Sequence, residues 1–521
     1  MVELLGQLLG FRLGGERYWL DVAHVDEELT DTEGTVGWLV EDIRQMITAS
    51  EDDVDRTPAM DDTPVAGVIS NDAEFVVQLD PRTVATRAVH AGLRGRRFYF
   101  PEARGDRMTR SESVAVVGGG AVGVTAAVDL AARGADVTLY DRSTLGAESS
   151  GRAAGVLYDA YAEDVDAALA ARAMDRFRAF DRSLPGFSFT ACPYVIAVRE
   201  GDADADAVPA MVDRMRAHGR SVSLVDPATL GERFPVAIDD LAVAAVADGA
   251  GWCDPASYVA AMGRRARRNG VDVETGTEVA LASDGREIRL SERGDATGEG
   301  TARAFDAIIV AVGAHTAPFF DSVGVDLPVV PYRVQALTAR DAYDGPMVYD
   351  ATAGVYVRPH PTGLLAGDGT VPVAADPEAY DREGDDWFVE SVSETLCDRL
   401  DAVNAPDPDV ERAWAGLCTA TPDGDPLVGP VGDLVAGASG STEDSAPQLF
   451  VAAGWQGHGF MRAPAIGEHL AEGVLASLDG SHASSASSPW IDAFDPDRFD
   501  GDEEFEITEG MTVERRAGRD S

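Results

Sequence analysis

SVAVVGGGAVGVTAAVDLAARGADVTLYD, residues 113–141, is the stretch that decides the fold. The apolar run Val114–Val117 leads straight into Gly118, Gly119 and Gly120, and Gly123 follows. Glycines at Gly118, Gly120 and Gly123 predict a tight strand-to-helix turn. They leave a pyrophosphate free to approach backbone N–H groups and let the helix pack close on the strand. The helix is predicted over Ala121–Arg133, opening on Ala121 and Val122 and stopping at Gly134. A second strand, Asp136–Tyr140, ends at Asp141, with Arg142 beside it. That carboxylate stands where a nucleotide ribose needs an acceptor. A dinucleotide site is the reading; a plain Gly-rich turn in an α/β protein is the alternative.

Composition narrows the setting. The chain has 521 residues, enough for two or three folding units, and with 45% hydrophobic and 26% charged residues it reads as globular. No uncharged run approaches the ~18–20 residues of a membrane helix. The first twenty residues lack a basic region and a cleavage site, so a cytoplasmic location is expected. Cys192, Cys253, Cys397 and Cys418 are far apart without a Cys-x-x-Cys, so neither a metal site nor a disulfide framework is expected. Ninety acids face 43 basic residues, net −47, and every basic residue is arginine. Such a balance points to a proteome working in concentrated salt, where at ~1 M the Debye length of about 3 Å screens self-repulsion. Nucleic acid is disfavoured as a partner, and the absence of lysine removes Schiff-base chemistry.

A boundary is expected at residues 99–112, rich in charge and turn formers. Another follows at residue 481, where SHASSASSP precedes an acidic tail, 481–521 in all, whose first part has aromatic anchors at Trp490, Phe494 and Phe499. Between them, helical patterns at Val165–Leu184, Ala207–His218 and Pro255–Asn269 alternate with strand-like runs. These are Val271–Glu274, Ala307–Val312, Val329–Ala339, Gly354–Arg358, Leu364–Gly367 and Leu449–Ala453. A βαβ start followed by mixed strands predicts an α/β dinucleotide fold with an inserted sheet domain.

Several further motifs stand in a recognisable order. Ser149, Ser150, Ala154 and Gly155 belong to a small-residue loop, AESSGRAAG at 147–155. Val279 lies in GTEV, and Val312 and Gly313 close the run DAIIVAVGA at 306–314. Gly454, Gln456, Gly457, His458, Gly459 and Phe460 form GWQGHGF, 454–460. In this order the chain resembles the D-amino-acid oxidase family of FAD-dependent oxidoreductases, which includes glycine and sarcosine oxidases. The resemblance spans residues 113–478 and implies non-covalent FAD held by these motifs. It also implies that the last of them meets the flavin, where a positive helix end stabilises charge on the reduced ring. The fold implied is a Rossmann-like FAD-binding domain (113–188, 253–327 and 414–480) with a mixed-sheet substrate domain (189–252 and 328–413).

Tyr356 and Arg358, in VYVRPH before GLLAG, resemble the family's substrate-cavity floor, where an arginine holds a carboxylate bidentately. The competing reading of Arg358 is a structural arginine in an acid-rich chain. His458 and His360 are the candidate polar groups for tuning the amine, and His315 is placed at the cofactor rim. The implied reaction is hydride transfer from the carbon beside an amine to flavin N5. Glycine, sarcosine, dimethylglycine, proline and D-amino acids all suit the motif set. The missing lysine favours an electron acceptor other than oxygen. Two alternatives are an FAD-bearing redox or chemotaxis signalling adaptor with little turnover and a flavin-dependent 2-hydroxy-acid dehydrogenase.

Residues 1–98 fall outside this pattern. Short strands around Gly14–Gly15, then VGWLVEDI at 36–43 and FVVQLD at 75–80, resemble a shortened CheW-type chemotaxis adaptor. That resemblance implies a small all-β SH3-like barrel, with a receptor or histidine kinase as partner.

Overall fold

The structure is a computed structural model in which residues 111–282, 287–292, 300–367, 369–403, 408–431, 448–479, 492–499, 503 and 507 are described, with backbone strands before them. Met1–Thr109 and Arg110–Ser521 are two separate compact units. In the first, Glu3–Leu5, Leu8–Leu13, Glu16–Thr30, Val36–Thr48, Glu74–Leu79 and Val65–Asn71 pair antiparallel in that order. Their side chains and residues 80–110 lie outside the described residues. So do the adaptor reading and nearly all of the expected linker.

The second unit is built on the opening βαβ. Ser113–Val117 lies at the centre of a six-stranded sheet with order Asp272–Thr275, Asp136–Asp141, Ser113–Val117, Ala307–Val310, Gln448–Ala453, Leu427–Pro430. The first five are parallel, and Leu427–Pro430 turns back antiparallel. Parallel strands covered on both faces read as unbroken apolar runs, which is why VAVV, AIIV and LFVAA carried so clear a signal. Val114, Ala115, Val116, Ile308 and Ile309 are fully buried.

Helix Ala121–Ala132 follows the glycine turn, and Gly134 (φ +97°) ends it in a conformation that disfavours any other residue. Helix Pro255–Arg268 has both end signals: Asp254 accepts from the N–H groups of Ala256 and Ser257, and Arg265, Arg267 and Arg268 occupy its last turn. Helix Gly459–Leu478 crosses Ala121–Ala132 so closely that a Cβ on Gly467 would sit 2.7 Å from the Cβ of Thr125.

The second large sheet is mixed. Val222–Val225, Leu241–Ala247, Tyr194–Arg199, Met347–Asp350, Val355–His360, Gly363–Gly367 and Val330–Ala339 follow one another. Val330–Ala339 pairs on one edge with Gly363–Gly367 and Val371–Ala374, and on the other with Val410–Ala420. Tyr194–Arg199 runs parallel to Met347–Asp350 and the other neighbours are antiparallel. Asp350, 1% exposed, accepts from Arg199 and Arg399, which ties this sheet to helix Asp386–Arg399.

Among the described residues, no helix is long and apolar enough to cross a membrane. Arg462, near the start of Gly459–Leu478, is buried and donates to Asp166 on helix Asp164–Ser183. Removing one partner of such a pair strands a desolvated charge. Asp166→Ala is therefore expected to cost roughly 3–5 kcal/mol of stability, read by chemical denaturation; a loss below about 1 kcal/mol would mean the arginine re-pairs without cost.

Candidate active site

One cavity of about 570 Å³ runs between the glycine turn of the first sheet and the face of the second. At one end lie Gly118, Gly119, Gly120, Ala121 and Val122, with Asp141 and Arg142 beyond them. The turn admits no side chain at Gly118, where φ is +106° and a Cβ would lie 2.3 Å from the Ala311 carbonyl oxygen. Asp141 accepts from the N–H groups of Gly119 (2.9 Å) and Ser143 (2.7 Å). Its carboxylate thus braces the turn, and burial raises its pKa against the lowering effect of those bonds. Ser150 Oγ accepts from the Ala121 N–H (2.9 Å), while the Ser149 hydroxyl donates to the Leu417 carbonyl (2.6 Å).

Ser149, Ser150, Ala154, Gly155, Val279, Val312 and Gly313 all line the cavity, as do Gln456, Gly457, His458, Gly459 and Phe460. Gly123 and Gly454 lie one layer behind. A Cβ on Gly123 would overlap the Gly118 carbonyl oxygen at 1.9 Å, and one on Gly454 would meet Thr421 Cγ2 at 2.3 Å. They shape the wall by allowing close packing.

The far end is a floor of tyrosines. Tyr349 and Tyr356 are cross-strand partners, and Tyr194 reaches the same cavity from the neighbouring strand. Tyr356 lies flat over the next strand because Gly367 is opposite it: a Cβ there would be 2.2 Å from the Tyr356 hydroxyl. Tyr158 packs 5.0 Å from both Tyr194 and Tyr161, and burial pushes its phenol well above the usual range. His458, at the start of helix Gly459–Leu478, meets Tyr161 edge-on at 6.0 Å.

Two expected catalytic residues are not in this cavity. Arg358 is two residues along the strand from Tyr356, where the wall has already closed. Its Nε donates to the Ala154 carbonyl (2.6 Å), its Nη1 to the Pro359 carbonyl (2.7 Å), and its guanidinium lies 4.7 Å from the Trp252 ring centre. It is 3% exposed and in no ion pair among the described residues, and burial lowers its pKa to about 10. His360, two residues further, ends the strand Val355–His360 opposite Gly363, half-buried, with Nδ1 against the Thr362 hydroxyl (2.9 Å).

A family model described as FAD dependent oxidoreductase, the D-amino-acid oxidase group, matches residues 113–473. The chain belongs to this family. Glycine oxidase of Pseudomonas putida is 26% identical over 341 residues, 62% of this chain and 86% of that protein. Anaerobic glycerol-3-phosphate dehydrogenase subunit A1 of Haloferax volcanii is 28% identical over 307 residues, 56% of this chain and about half of that protein (51%). The fold is also that of the crystal structure of glycine oxidase from Geobacillus kaustophilus: TM-score 0.62, 22% identity, 75% of this chain and all of that one. The family match begins at residue 113, so it lends no support to a chemotaxis adaptor or its partners.

The protein is an FAD-dependent oxidoreductase, and its cavity fits that cofactor. The Gly118–Gly120 cradle has the small volume a pyrophosphate needs. In the Gly454–Gly459 turn, Gln456 is the non-glycine residue with positive φ (+44°) among the described residues, and its Oε1 is buried without a hydrogen-bond partner there. Strain and an unsatisfied polar atom mark a position shaped for a ligand.

Sequence reading missed Tyr158, Tyr194 and Tyr349, which belong to no motif: Tyr194 and Tyr349 are brought together by strand pairing, and Tyr158 stacks on Tyr194 from outside the sheet. Arg142 and His315 were singled out, but Glu378, which joins them in a cluster at the cavity rim, was missed. There Arg142 Nη1 lies 2.5 Å from Glu378 and Arg142 Nη2 lies 2.7 Å from the His315 ring. Burial, then Arg142, lowers the pKa of His315, while Glu378 and Glu148 oppose the shift and Arg382 adds to it.

Gly120→Ala has only the Ser150 Oγ, at 3.0 Å, in its way. It is expected to leave the apoprotein folded yet weaken FAD binding about tenfold or more, measured by flavin-fluorescence titration. Unaltered affinity would put the pyrophosphate elsewhere. His315, held neutral, stabilises the fold above its unfolded value of 6.5, and this contribution is lost as pH falls through the lowered folded value. The fall in Tm below pH 6.5 should therefore be shallower in His315→Gln; an identical slope would show that His315 does not contribute.

Proposed function

We propose that the protein oxidises a small amino acid or N-methylated amino acid at the carbon beside its nitrogen. The observation that carries this reading is a tyrosine floor opposite the Trp455–Phe460 loop within one cavity. When bound, FAD supplies the acceptor for the hydride leaving that carbon.

The chain's part is to bind, orient and dry the substrate. Tyr194, Tyr349 and Tyr356 present apolar ring faces with hydroxyls at their tips, which suits a short alkyl amine. Aromatic faces also attract a methylated ammonium before it gives up its proton. A low-dielectric floor favours the neutral amine, whose nitrogen lone pair assists loss of hydride. His458 Nε2 is the candidate site to hold the released proton. The oxidised product is an imine, which water converts to a carbonyl compound and a free amine.

Arg358 fits this reading from behind the wall. A buried guanidinium in no ion pair among the described residues makes the adjoining floor electropositive, and a substrate carboxylate on that floor would be attracted through the wall. Reoxidation proceeds without lysine, because the chain has none; Arg142 and Arg152 are the arginines lining the cavity.

The experiment is anaerobic flavin absorbance with a panel of glycine, sarcosine, dimethylglycine, proline, D-amino acids and 2-hydroxy acids, in multimolar KCl. Bleaching near the ~450 nm band of oxidised flavin by an amine is the expected result. Bleaching by a hydroxy acid alone would overturn the proposal, and an FAD-loaded protein that nothing reduces would favour a sensor. Arg358→Met should raise KM for an amino-acid substrate about tenfold and leave that for an amine without a carboxylate unchanged. Equal effects on both would assign Arg358 to the wall alone.

A further inference from the structure

The chain's acidic C-terminal stretch lies beyond the family match, yet part of it is packed onto the body behind the flavin loop. We infer that Asp492–Phe499 belongs to the scaffold of that loop, with Arg498 as a positioning residue for the Gly454–Gly459 turn. This rests on the reading that the turn meets the flavin.

The segment is anchored at three points. Phe494 is 1% exposed within the main apolar core. Pro496 is buried over Gly429 of the edge strand Leu427–Pro430, with its Cδ 3.0 Å from the place a Gly429 Cβ would take. Arg498 is fixed by all three of its nitrogens. Nε and Nη2 pair with the two carboxylate oxygens of Asp423 at 2.8 and 3.0 Å, Nη2 also reaches the Asp425 carbonyl at 2.7 Å, and Nη1 reaches the Asp495 carbonyl at 2.9 Å. Its guanidinium lies 4.3 Å from the centre of the Phe499 ring. A bidentate, stacked arginine holds its target in both distance and plane.

What it holds is a turn that touches the flavin loop. The Asp425 N–H donates to Asp423 Oδ1 at 2.9 Å, and the hydroxyl of fully buried Thr421 donates to the Asp425 carbonyl at 2.7 Å. Thr421 Cγ2 occupies the space where Gly454 would carry a Cβ. Two residues earlier, Thr419 accepts from the Trp455 N–H through its hydroxyl (3.1 Å) and from the Gln456 N–H through its carbonyl (2.9 Å). The contacts therefore run from Arg498 through Asp423 and Asp425 to Thr421, and from there to Gly454 and the strained Gln456. A purely local role, stapling the edge strand Leu427–Pro430, would end at Pro496 and Gly429 and need no arginine aimed at the Asp423 turn.

The test uses the full-length chain as wild type, Arg498→Ala and Asp423→Asn, the latter keeping the size of the turn. Three quantities are read: Kd for FAD added to apoprotein, the visible spectrum and midpoint potential of bound flavin, and the Tm of the apoprotein. Both variants should bind FAD about tenfold more weakly and show a shifted potential and altered band shape, beyond any fall in apoprotein Tm. A folded variant with wild-type affinity, spectrum and potential overturns the inference even if its Tm drops, because a staple alone would produce that result. If Arg498→Ala does not fold, Asp423→Asn decides. Wild type that takes up no FAD would instead sink the reading of the cavity itself, a separate failure.

Discussion

Two helices that nearly touch hold the site together. Ala121–Ala132 and Gly459–Leu478 meet where Gly467 rests on Thr125, and both begin at the cavity. Thr125 fixes the contact from its other side, donating to the Ala121 carbonyl (2.6 Å) and lying 2.8 Å from the Tyr258 hydroxyl. Any separation of the helices would move the Gly118–Gly120 turn relative to the Gly454–Gly459 turn. The N-termini of both helices, each carrying partial positive charge, open on the same cavity. The Arg462–Asp166 and Arg176–Asp129 pairs lock the same helices to Asp164–Ser183, so the geometry is held by charge as well as by packing.

The dinucleotide half was legible because its residues sit where the backbone demands them. Gly118, Gly120 and Gly123 announce a turn that tolerates no side chain, and buried parallel strands announce themselves as unbroken valine and isoleucine. The substrate half was legible only in part. Tyr356 was found through the strand pair that carries it, but its partners Tyr194 and Tyr349 come from strands about 150 residues apart, paired through register no local pattern encodes. Arg358 shows the limit from the other side. Motif likeness placed it against substrate, whereas two residues of strand advance take it out of the cavity and into hydrogen bonds with the Ala154 and Pro359 carbonyls. The salt-adapted reading rests on composition alone.

An all-arginine basic set has a structural counterpart. Arginines bridge helix to helix, sheet to helix and tail to turn, commonly through more than one nitrogen: Arg176 to Asp129, Arg399 to Asp240 and Asp350, Arg498 to Asp423. A planar fork spends less conformational freedom per bond than an ammonium on a flexible stem. With acids outnumbering bases by more than two to one, each guanidinium has carboxylates to choose from. Of the buried arginines, Arg333, Arg399 and Arg462 each pair with a carboxylate, and Arg358 has none among the described residues.

The order in which strands join the first sheet has a consequence for how the chain is made. Ser113–Val117 must wait for Ala307–Val310 before its second edge is covered, and that strand waits in turn for Gln448–Ala453. A nascent chain leaving the ribosome therefore carries an open parallel edge through most of its synthesis, and the Gly118–Gly120 turn meets the Gly454–Gly459 turn only after the last long helix emerges. Productive folding is thus a late, concerted closure, and a cut almost anywhere between these strands would leave neither piece with a complete sheet.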